Sequence, residues 1–204
     1  MPRPPSIDLN QAQGLVDESV CVEGSDRRRF ATDESPRGVW SAGSMRRTYT
    51  PRRWLADIVA LTRATPRLLA IYGGGRLDPA LRERVMVAVS RANGCRGCTS
   101  VHEAWALRAG VSAEELEQIG AGDFVSFSME DRAAIVYATA LAEAGFGEIP
   151  ADIQALVDGH LDRRRQGDVE AVARVITLAN LSVNTTAAVA GHSALRRIAE
   201  GCRR

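Results

Sequence analysis

Residues 82–110 read RERVMVAVSRANGCRGCTSVHEAWALRAG. The stretch holds two cysteines three apart, Cys95 and Cys98, a histidine four further on, His102, and a glutamate twelve before the first cysteine, Glu83. Leu81, Val85, Ala88, Val89 and Ala92 recur at helical spacing. Asp78 stands as N-cap of that helix and Pro79 takes its first position. Asn93-Gly94 ends it with residues that tolerate left-handed backbone. A second helix follows at once, about Cys95 to Ala109, closed by Gly110. The pattern is an antiparallel helical hairpin.

On a helix that begins near Cys95, about 100° per residue brings Cys95, Cys98 and His102 onto one face, within about 60°. The first helical turn offers free backbone N–H groups and a dipole that favour a thiolate. Glu83 precedes Asn93 by roughly 15 Å of helix axis and His102 follows Gly94 by roughly 12 Å. The two therefore sit at similar height and can face each other. A carboxylate that orients an imidazole serving a thiol is the logic of an activated nucleophile.

Other readings share the same residues. Glu83 can pair with Arg82 or Arg84 at the surface, and the cysteines can be small packing residues. Cys95, Cys98 and His102, with Glu83 as a fourth ligand, also make a set that zinc accepts. Structural zinc sites usually draw a second ligand pair from elsewhere, and none stands out. Haem attachment needs a histidine directly after the second cysteine, where this chain has Thr99.

The rest of the chain extends the helical pattern. Thr50 and Pro51 open a helix carrying Trp54, Leu55, Ile58 and Leu61. Pro66 is expected to begin a further short helix that Gly73-Gly74-Gly75 ends. Ser112 with Glu115 forms a capping box. Amphipathic patterns cover 128–144 and 150–161, and a long one runs from about 167 to 201, expected to split near Asn180 to Thr186. No strand alternation appears. The expectation is an all-α domain of seven to nine helices over residues 50–204, after an irregular or disordered extension over 1–49 rich in turn formers and charges.

Composition narrows the chemistry. Two hundred and four residues with 45% apolar content suit one domain with a real core. All 26 basic residues are arginine, which excludes a lysine Schiff base and a phosphate-loop lysine. A net charge of +1 suggests no nucleic-acid or membrane partner. No continuous apolar run approaches the roughly 18 residues of a membrane helix, and no secretory h-region is visible, so the expected compartment is the cytoplasm. In that reducing setting Cys95 and Cys98 read as redox or metal chemistry, and Cys21 and Cys202 as incidental. His160 is expected at the surface and His192 at the end of the last helix, neither of them catalytic.

Glu83, Cys95, Cys98 and His102, spaced E-x₁₁-C-x-x-C-x₃-H within VSRANGCRGC, resemble the signature of the alkylhydroperoxidase D-like (AhpD-like) branch of the carboxymuconolactone decarboxylase superfamily. The likeness extends over about Tyr49 to Arg197. It implies an AhpD-like helical bundle, a trimer or hexamer of identical chains, and thiol-dependent reduction of organic hydroperoxides without flavin or metal cofactor. It implies that Cys98 attacks the peroxide, that Cys95 closes a Cys95–Cys98 disulfide, and that Glu83 and His102 relay protons. An external dithiol, a lipoyl group or a thioredoxin-like protein, would reduce the pair again. Gly97 departs from the family, whose best-known members carry histidine there and many relatives tyrosine. One question stays open: in such helix-start pairs the first cysteine is often the more acidic thiol, whereas the family assigns attack to the second.

Overall fold

The computed structural model describes residues 46–201, with side chains to 191. Among these residues lie seven α-helices and no strand: α1 (Pro51–Tyr72), α2 (Pro79–Ala92), α3 (Arg96–Arg108), α4 (Ala113–Ala121), α5 (Met129–Glu143), α6 (Ala151–His160) and α7 (Arg163–Gly201). The all-α expectation holds. Apart from residues 46–49, the extension expected over 1–49, including Cys21, lies outside the described residues, as does Cys202.

The helix starts follow local chemistry. Thr50 caps α1 through Arg53 N, Asp78 caps α2 through Leu81 N, and Ser128 caps α5 through Asp131 N. Ser112 and Glu115 form the reciprocal capping box of α4. Each such cap contributes about 1 kcal/mol.

Helices α2, α5 and α7 make the core. In α2, Leu81, Val85 and Val89 are buried together with Met86, Val87 and Ala88, so its apolar surface is wider than one stripe. In α5 every residue from Ala133 to Ala142 is buried. Five of these ten are alanine, which lets the neighbouring helices approach closely. Filling this interior with valine, leucine and isoleucine contributes roughly 1.5–3 kcal/mol per fully buried side chain. Asp168 on α7, 2% exposed in its side chain, takes Arg67 of α1 and Arg76 of the following loop, both at 2.8 Å. That buried carboxylate ties three segments; both arginines keep part of their surface in water, so losing either should cost less than the about 3–5 kcal/mol of a fully buried pair.

Two expectations need correction. Pro66 does not begin a new helix; α1 runs unbroken from Pro51 to Tyr72 with Pro66 inside it. The proline φ is already helical, so the chain forfeits one backbone bond rather than its direction. The long helix does not split near Asn180: α7 is continuous over 39 residues. Thr185 and Thr186 return their hydroxyls to the Leu181 and Ser182 carbonyls one turn back, within the helix, and Asn180 and Asn184 bond to other elements, so the amides do not compete for the helix backbone. By length and composition alone Arg163–Gly191, with mean hydropathy 1.2, would suffice to cross a membrane, although it holds no continuous apolar run of that length. Its asparagines and threonines hide this from a search for an unbroken apolar run. Its inner face, with Val169, Val172, Ile176 and Leu181, is packed in the core.

Candidate active site

The hairpin of α2 and α3 carries all four candidate residues. Gly94, at φ +66°, makes the turn that a side chain would strain. Cys95 is the N-cap of α3 with φ −92° and ψ 85°, and Arg96 is the first helical residue. The helical count therefore does not apply to Cys95, contrary to the expectation of a helix starting there. What brings the cysteines together is the cap: the chain folds back into the helix between them. Their Cα atoms are 5.3 Å apart and their sulfurs stand at disulfide distance. Cys95 is 1% exposed and its N–H donates to Ser90 O at 3.0 Å. Cys98, at the third helical position, is half-buried.

Glu83, 4% exposed, faces inward from α2. Its Oε2 lies 2.8 Å from Nδ1 of His102, itself buried on α3. A carboxylate only accepts, so Nδ1–H donates and Nε2 is left for a second partner. Glu83 also meets one of the arginines beside it in sequence. Its other oxygen, Oε1, takes Nε of Arg82 at 3.3 Å. The Arg82 guanidinium lies over the Tyr72 ring at 4.9 Å. Trp105 meets the His102 ring edge-on, with centroids 5.1 Å apart. Burial pushes the Tyr72 phenol up, with the Arg82 charge opposing it.

A polar cluster fixes the turn from behind, and the hairpin pattern alone did not reveal it. Asn184 Nδ2 on α7 donates to Asn93 O and to Arg47 O, both at 2.9 Å. Asn93 Nδ2 donates to Thr177 Oγ1, and Ser90 Oγ donates to Asn180 Oδ1. Thr177, Asn180 and Asn184 are spaced by three and four, one face of α7. That spacing of amides within an apolar helix was the available signal. Arg47 adds bonds to the Ala142 and Glu143 carbonyls at the end of α5.

The hairpin, the paired sulfurs and the buried Glu83–His102 contact lie within a segment, residues 60–144, that matches the model of the carboxymuconolactone decarboxylase family. The match spans less of the chain than the likeness read over Tyr49 to Arg197, and it does not distinguish the AhpD-like branch. No curated protein matches the chain. Within the family segment, the zinc set weighed from the sequence is not assembled. His102 turns Nδ1 to Glu83, and the described residues hold no group of three or more His, Cys, Asp and Glu side chains placed to bind a metal ion. His160 is exposed at the end of α6, and His192 lies on α7 beyond the described side chains.

Proposed function

We propose that this chain is an AhpD-like dithiol peroxidase that reduces organic hydroperoxides. One observation carries the reading: in a segment of this family, two cysteines at disulfide distance open the helix whose histidine is held by a buried carboxylate. Cys98 is the attacking thiol, because Cys95 is sealed under the hairpin while Cys98 is half-buried. Its place in the first turn favours the thiolate.

The reaction runs in three steps. The Cys98 thiolate attacks the terminal peroxide oxygen and the O–O bond breaks. The leaving alkoxide takes a proton supplied through His102 and becomes the alcohol, and Cys98 becomes a sulfenic acid. The Cys95 thiol then attacks that sulfur, forming the Cys95–Cys98 disulfide and releasing water. An external dithiol, a lipoyl group or a thioredoxin-like protein, reduces the pair by exchange and leaves oxidised. Glu83 keeps His102 in the tautomer that presents Nε2.

The reading includes the cytoplasm as compartment, where reductants keep such a pair turning over. It also includes a homo-oligomer, a trimer or hexamer. The exposed Trp54, Leu55, Val59 and Leu69 of α1 support this, as apolar surface that a single chain leaves uncovered.

Reduced protein should consume cumene hydroperoxide with a small dithiol as donor, losing two thiols per turnover without donor, and Cys98→Ser should abolish this. Equal inertness of wild type and Cys98→Ser with several dithiols would remove the peroxidase reading. Trapping of a covalent protein partner without peroxide consumption would instead indicate a thiol adaptor or redox sensor.

A further inference from the structure

Arg82 has no part in the thiol chemistry, yet it is braced beside it. Its Nε is engaged by Glu83 Oε1 at 3.3 Å, and Tyr72 supports its guanidinium plane at 4.9 Å. Among the described residues no other acidic side chain pairs with Arg82, and its side chain keeps 21% of its surface. Two contacts thus fix the orientation of the guanidinium and leave both Nη groups for a ligand. The fork they present matches a carboxylate in two parallel hydrogen bonds.

The surface beside His102 is apolar and aromatic. Trp105, 48% exposed, packs on His102, and Val101, also 48% exposed, precedes it on α3. Tyr72 under Arg82 is 47% exposed. Cys98, Val101 and Trp105 are spaced by three and four, so one helix face leads from the half-buried thiol to the tryptophan. His102 lies roughly 6 Å along the axis from Cys98, and Trp105 roughly 10 Å. Arg82 reaches the level of His102 through Glu83. A molecule with its peroxide at Cys98 and its apolar body on Val101 and Trp105 would carry its anionic end to Arg82.

We infer that the substrate class is a carboxylate-bearing organic hydroperoxide, with Arg82 as the residue that recognises the carboxylate. The inference rests on the peroxidase reading above and adds to it what the substrate carries.

The test compares 4-carboxycumene hydroperoxide with its methyl ester, which has the same peroxide and ring but no charge. With a small dithiol as donor, wild-type protein should prefer the free acid by about 10-fold or more in kcat/KM, the scale of a charge-assisted contact. Arg82→Met and Arg82→Gln should bring that preference to about one, and Arg82→Lys should keep part of it. Arg82 also braces Glu83, so both rates will drop in these variants; the acid-to-ester ratio alone reports recognition. Equal kcat/KM for acid and ester in the wild type would overturn the inference while leaving the peroxidase reading standing. So would a preference that survives Arg82→Met. If the wild type consumes neither compound, nor cumene hydroperoxide, the peroxidase reading itself falls and takes the inference with it.

Discussion

His102 Nδ1 and Glu83 Oε2 stand 2.8 Å apart across the α2–α3 hairpin, both buried. Both are withdrawn from water, and Glu83 also holds Arg82 through Oε1. Glu83→Gln keeps the size but removes the acceptor charge, and the amide can turn its NH₂ toward Nδ1 and favour the wrong tautomer. Peroxide turnover is expected to fall about 10²- to 10⁴-fold, the range for a lost acid–base group. Glu83→Ala leaves a buried imidazole N–H unpaired and should cost about 1–3 kcal/mol in urea unfolding. Stopped-flow peroxide consumption and denaturant titration check the two effects separately.

The two cysteines should fail differently. Cys98→Ser removes the half-buried thiol and should abolish reaction with hydroperoxide altogether. Cys95→Ser removes the buried one and should permit a single event, leaving Cys98 as a sulfenic acid that dimedone labels. Mass spectrometry of the adduct reads this directly. Labelling at Cys95 in the Cys98→Ser protein would reverse the assignment of roles.

Gly97 sits on α3 between the cysteines, and a Cβ built there meets nothing within 4 Å. Its backbone does not need glycine, so Gly97→Ala should stabilise the protein by about 0.4–1 kcal/mol, chiefly by restricting the unfolded chain. Thermal melts of oxidised protein measure it. Gly97→His should fold equally well, and comparing its peroxide turnover with the wild type reports what a side chain at this position adds.

Asn184 closes the turn from α7 with two bonds from one amide. Asn184→Ala leaves Asn93 O with the longer bond from Arg47 N at 3.3 Å. The expected loss is about 1–3 kcal/mol in urea. A matching loss of turnover is expected too, since the turn places Cys95. Asn184→Asp should not rescue it, because a carboxylate cannot donate to carbonyls.

Stability should also respond to pH through Glu115. Burial pushes its carboxyl up, but the Ser112 N–H bond and the Arg84 charge and hydrogen bond, at 2.6 Å, outweigh this and hold it below the ordinary value of 4.5. A carboxyl depressed in the folded state contributes stability above its unfolded pKa and loses it as pH falls through the folded value. Glu115→Gln should therefore be less stable than wild type at neutral pH, with the gap closing in acid below that value. Melting curves across this window test the sign.

Much of the hairpin was legible in the residues. Asp78-Pro79, the valine spacing and Asn93-Gly94 act within a few residues of chain, and helix caps and turns obey that local chemistry wherever they occur. The four candidate residues stood out for the same reason, as a spacing on two short helices. Pro66 and the Asn180–Thr186 run misled because a proline or a cluster of amides weakens a helix only in isolation. In the folded chain both helices continue, α7 with its amides bonded to the α2–α3 turn.

What no local pattern could decide was burial and the partner that comes with it. That Glu83 lies at 4% exposure against His102, that Cys95 is sealed while Cys98 is not, and that Arg82 is pinned between Glu83 and Tyr72 all depend on elements packed from elsewhere. Periodicity places a side chain on a face. Only the helices packed against that face determine how much water it keeps, and it is the loss of water that gives a carboxylate, an imidazole or a thiol its chemistry.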